Sequence, residues 1–128
     1  MILAGAFLLA LQSSSACSVV TPRLTQAVRR TEAARVATLS RRRVRPADVS
    51  HLISDRNWRL VFATPANSER GVFVMRRAGR NYRLVDTWGG VLAPSDRGQA
   101  ARWARNLAGG GVPAVLANCM EQAIISGR

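Results

Sequence analysis

The chain has 128 residues, 48% of them apolar, with 19 basic side chains against seven acidic ones and a formal net charge of +12. That length holds one domain rather than two, and its apolar share suffices for one core. The charge makes a cationic target an unfavourable partner and points to an anionic one: a lipid headgroup, an acidic polymer or an acidic protein surface of the envelope. All 19 basic residues are Arg and none is Lys. GC-rich coding accounts for the choice of Arg over Lys, but not for the size of the charge.

Residues 1–11 read M-I-L-A-G-A-F-L-L-A-L, an uncharged apolar run. It is shorter than the about 20 residues a membrane-spanning helix needs. Gln12, three serines and Ala16 follow, with small side chains at Ser14 and Ala16, the spacing a signal peptidase accepts. The pattern predicts a signal peptide over 1–16, lost on export to the periplasm or the exterior, and one small basic domain over 17–128. The alternative is a retained, buried apolar helix, which would reopen a nucleic-acid-binding reading; for an exported chain, nucleic acid is not the expected partner.

Cys17 and Cys119 are the two cysteines. An even count in an exported chain favours a Cys17–Cys119 disulfide. The residues Ser14-Ser15-Ala16-Cys17 also resemble the lipobox of bacterial lipoproteins, although Ser14 stands where that motif has Leu. The resemblance implies a lipid anchor on Cys17; the bridge is the preferred expectation, and a buried free thiol at Cys119 is the third.

Further along, Thr21-Pro22 predicts the opening of a helix over 23–43, with Thr as N-cap and Pro at the first helical position. Leu24, Ala27, Val28, Ala34 and Leu39 form its thin apolar stripe, and Arg41, Arg42 and Arg43 its basic end. A second helix is expected over 46–54, with Val49, Leu52 and Ile53 on one side. The period then changes to two. Strands are expected over 58–63, 72–77 and 82–88, joined by a loop over 64–71 and a tight turn at Ala78-Gly79-Arg80-Asn81. On simple alternation Trp58, Leu60, Phe62, Phe73, Met75, Tyr82, Leu84 and Trp88 share the core face, and Asp86 falls on it too. Arg59, Arg76 and Arg83 share the other face with Val61, Val72, Val74 and Val85, a half-apolar surface that asks for a cover. Ser95 or Asp96 caps a third helix with the stripe Ala100, Trp103, Ala104 and Leu107, ended by Gly109-Gly110-Gly111. Pro113 starts a fourth, with Leu116, Cys119, Met120, Ala123 and Ile124 inward and Gly127 as its C-cap. The predicted class is α+β: a three-stranded antiparallel β-meander flanked by two N-terminal and two C-terminal helices.

Chemistry-bearing residues are sparse. His51 is the only His, so no multi-His metal site is expected, and no cofactor is. Neither glycine run has the spacing of a phosphate-binding loop. A small hydrolase would have to be built on Asp86 or His51, with Asp48 three residues from His51 as a possible neighbour. The features that carry a partner are the arginines Arg76, Arg77, Arg80 and Arg83 around the predicted hairpin and Arg41, Arg42 and Arg43 after the first helix. The resulting expectation is a non-enzymatic exported module that binds an anionic surface.

Overall fold

The computed structural model describes residues 16–89 and 97–127. The signal-peptide segment before Ala16, and the Ser95 or Asp96 cap, lie outside the described residues. The class is α+β, as expected, but the sheet has four strands, in the order β1 (Val49–Ser54), β2 (Trp58–Ala63), β3 (Gly71–Ala78) and β4 (Asn81–Gly89), each antiparallel to the next. Helix α1 (Gln26–Ser40) precedes the sheet, and α2 (Arg97–Gly109) and α3 (Ala114–Ile125) follow it. A short helical segment occupies residues 16–20.

The expected second helix over 46–54 is not there. Pro46–Asp48 makes one 3-10 turn, and Val49–Ser54 is β1. Two local features turn this segment into a strand. Asp55 Oδ1 accepts the backbone N–H groups of Asn57 and Trp58, both at 2.8 Å, closing a tight turn that folds the segment back on β2. A bulge between Val49 and His51 then places Val49 and Leu52 on the same side of the sheet. Three-residue spacing on one face is the signature of a helix, and here the bulge produces it in a strand.

The first helix also starts later than expected. Thr25, not Thr21, is its N-cap, with Oγ1 accepting from Val28 N–H at 3.2 Å. It ends at Ser40, and Arg41 turns the chain in the left-handed region at φ 58°.

Both faces of the sheet are covered. On one, Val49, Leu52, Val61, Ala63, Phe73 and Met75 pack against Ala33 and Val36 of α1. On the other, Ile53, Trp58, Leu60, Phe62, Val72 and Val74 pack against α2 and α3. The central strands are therefore apolar on both sides and read as nearly continuous hydrophobic runs. The expected division of faces is corrected in two places. Phe62 pairs with Val72 and Val61 with Phe73, so Phe73 and Met75 leave the Trp58 face. In β4 the register shifts opposite Val74 and Met75, with Val85 as the extra residue; Tyr82 and Leu84 fall on the α1 side while Asp86 and Trp88 fall on the other.

Cys17 and Cys119 form a disulfide, with their Cα atoms 5.5 Å apart. A sulfur held in this bridge carries no thioether, so bridge and lipid anchor exclude each other. Cys119 lies in the α3 core face, and Cys17 and Val20 pack on that cluster, so the bridge pins the start of the described chain to its last helix. Among the described residues no helix is long and apolar enough to cross a membrane.

Candidate anion-binding surface

The β3–β4 hairpin turns at Gly79 and Arg80. Gly79 has φ 65°, the left-handed value that a two-residue hairpin connection takes at its first central position and that glycine adopts without strain. The four hairpin arginines are exposed around this turn. Arg76 and Arg83 are cross-strand partners. Arg76 lies over the ring of Trp58, its own neighbour on β2, at 5.4 Å. Arg77 Nε donates to the carbonyl of Gly79 at 3.1 Å. Arg80, with Arg35 and Tyr82, lines a groove between the turn and α1.

Sequence reasoning missed a fifth member. The β1–β2 turn lies at the same end of the sheet, and Arg77 N–H donates to Asn57 O at 2.6 Å, joining the two turns. Arg56, exposed on the β1–β2 turn, therefore belongs with the hairpin arginines. The signal was the Asp55-Arg56-Asn57 turn itself, hidden while 46–54 read as a helix. Asp55, the acidic residue of that turn, already accepts two backbone N–H groups. Among the described residues none of Arg56, Arg76, Arg77, Arg80 and Arg83 forms an ion pair.

Arg41, Arg42 and Arg43 are also exposed but stand elsewhere. Arg42 Nη1 donates to Ser68 Oγ at 2.9 Å, and Arg43 O accepts from Ala66 N–H, so the segment rests on the β2–β3 loop. That loop enters β3 and the hairpin turn leaves it. The eight residues of β3 separate the two arginine groups by roughly 26 Å at about 3.3 Å per residue. The predicted binding residues thus form two sites at opposite ends of the sheet. Arg45, next in line, is committed: its side chain grips both carboxylate oxygens of Asp48. That bond and the Arg45 backbone N–H hold the Asp48 carboxyl below the ordinary carboxylate value.

The residues considered for catalysis do not converge. His51 on β1 and Asp86 on β4 occupy the two outer strands, three strand spacings or about 14 Å apart. His51 packs edge-on against Phe62, near the disulfide. Asp86 is exposed; its Oδ1 accepts its neighbour's Thr87 N–H and its Oδ2 the indole N–H of Trp103, both at 2.8 Å. It fastens α2 to β4 through an indole rather than an arginine. Asp48 belongs to Arg45, and Cys119 to the disulfide.

Glu32 is the charged residue that the sequence did not single out. It is 2% exposed between α1 and the sheet. Its Oε1 accepts from Arg35 Nη1 at 2.7 Å and lies 3.6 Å from Arg59 Nη1 of β2. Arg35 also lies over the Tyr82 ring at 4.2 Å, and Arg59 Nε donates to the Tyr82 hydroxyl at 3.5 Å. The cluster ties α1 to β2 and β4. The chain matches no protein-family model, no curated protein and no solved structure.

Proposed function

We propose that this protein is a non-enzymatic module, exported from the cytoplasm, that binds an anionic membrane surface through the arginines of its two adjoining turns. One observation carries the reading: Arg56, Arg76, Arg77, Arg80 and Arg83 crowd one end of the sheet without a carboxylate partner among the described residues. Such an arrangement is electrostatically unfavourable until an anion arrives, and lipid phosphates supply many anions in a plane. The separation of His51 from Asp86 argues against a hydrolase built on the two together. The disulfide suits an oxidising compartment, which agrees with the apolar run and small-residue cut site at the N-terminus.

Co-sedimentation with phosphatidylglycerol vesicles, against phosphatidylcholine vesicles, tests the proposal. Retention on the anionic vesicles is expected to fall as salt rises. The variant R76Q/R77Q/R80Q/R83Q is expected to lose on the order of a thousandfold in partitioning, at about 1 kcal/mol per basic residue, with its circular dichroism unchanged. Equal retention of wild type and variant would overturn the reading. So would preference for duplex DNA over vesicles, which would indicate a nucleic-acid partner.

A further inference from the structure

A second feature of the molecule lies away from the hairpin. On the α1 face, β3 and β4 place Gly71 opposite Gly89 and Phe73 opposite Thr87. Two facing glycines remove both side chains from one cross-strand position. The sheet surface therefore drops away beneath the C-terminal end of α1, leaving a half-open cleft of about 500 Å³, within the size range of small-molecule sites. Leu39 of α1, Phe73 of β3 and Leu84 of β4 give it an apolar wall, and Thr87 adds a hydroxyl. Arg42 stands at its rim, oriented by its bond to Ser68 Oγ. That bond uses one of the five guanidinium donors. Arg41 and Arg43 flank it in sequence, while Glu69 is the acidic residue of the lining. A recess with apolar side chains on one wall and an oriented guanidinium at its edge has two ends of different chemistry.

We propose that this cleft binds a small amphipathic oxyanion, with an alkyl or acyl chain against Leu39, Phe73 and Leu84 and a carboxylate or phosphate on Arg42. Apolar burial supplies the affinity and the charge-assisted hydrogen bond fixes the orientation. Being at the other end of β3 from the hairpin turn, the site stands or falls independently of the membrane-binding proposal.

The test is a ¹⁵N–¹H NMR titration of the oxidised protein with octyl phosphate and with octanoate, below their micelle concentrations. Amide shifts are expected at Arg42, Ser68, Gly71, Phe73, Thr87 and Gly89; the stronger of the two ligands identifies phosphate or carboxylate as the preferred head. R42Q should weaken binding about tenfold or more. Among the described residues a Cβ on Gly89 meets nothing within 4 Å, so G89V should fill the recess and abolish binding while the rest of the spectrum stays in place. The variant R76Q/R77Q/R80Q/R83Q should bind as wild type does. The proposal is overturned if neither anion shifts these amides or if R42Q binds as tightly as wild type. It is also overturned if octyl glucoside, octylammonium or inorganic phosphate alone binds as well as the amphipathic anions.

Discussion

The Glu32 carboxylate lies in the middle of what would otherwise be an apolar stripe. Val28, Glu32 and Val36 follow one another at four-residue intervals down α1, and the inward side chains of the helix are Glu32, Ala33 and Val36. A stripe read from apolar residues alone misses Val36, because the Glu breaks the pattern. Its burial is tolerable because Oε1 is shared by two guanidiniums, while Oε2 meets no hydrogen-bond donor among the described residues. Removing the carboxylate leaves Arg35 and Arg59 facing each other across Tyr82. E32A is therefore expected to cost about 2–3 kcal/mol, below the full value for a broken buried pair because both arginines reach solvent. E32Q, which keeps an acceptor for Arg35, should cost less. Urea unfolding midpoints of the two variants check the order; equal losses would mean that packing volume, not charge, holds α1 in place.

At the level of elements, β3 and β4 leave no room for a side chain at Gly71, which faces Gly89. A Cβ on Gly71 would lie 2.8 Å from the backbone oxygen of Trp88, and a backbone atom cannot swing aside. G71A should therefore destabilise by about 1–3 kcal/mol through strand separation, whereas G89A, whose Cβ meets nothing within 4 Å among the described residues, should not. Thermal melts of the pair separate the two cases; a neutral G71A would show that the strand ends can spread. The same hairpin shows what was legible in the sequence. Strands β2, β3 and β4 could be read to within a residue or so at each end, because alternation, Gly79 and the flanking loops are local signals. The α2 and α3 stripes were legible for the same reason. Strand β1 was not, since its bulge gives Val49 and Leu52 helical spacing, and the turn that decides the matter depends on the Asp55 side chain. Nor were the faces of β3 and β4, because register comes from pairing between strands and the Val85 bulge has no sequence mark. The hairpin arginines were visible as a group, but their neighbour Arg56 and the glycine-floored cleft exist only once the strands are aligned.

For the whole molecule, helix α1 closes one side of the sheet, the α2–α3 pair closes the other, and the Cys17–Cys119 bridge spans 102 residues of sequence. Cross-linking so long a loop is expected to contribute about 2–4 kcal/mol, chiefly by restricting the unfolded chain. Reduction, or the double variant C17S/C119S, should lower the melting temperature and expose residues 16–21 to limited proteolysis while the sheet remains protected. Unchanged cleavage patterns with and without reductant would mean that packing of Val20 alone holds the segment. The bridge has another effect besides stability. Only nine residues follow Cys119 in the 128-residue chain, so nearly all of the described fold lies inside one covalent ring. A protease that cuts a ring once opens it without releasing a fragment. On a non-reducing gel a molecule nicked in the β2–β3 loop would keep its full mass, and it would divide into two pieces only after reductant. Wherever proteases are common and thiols scarce, that closed circuit lets the protein survive a first cut in one piece.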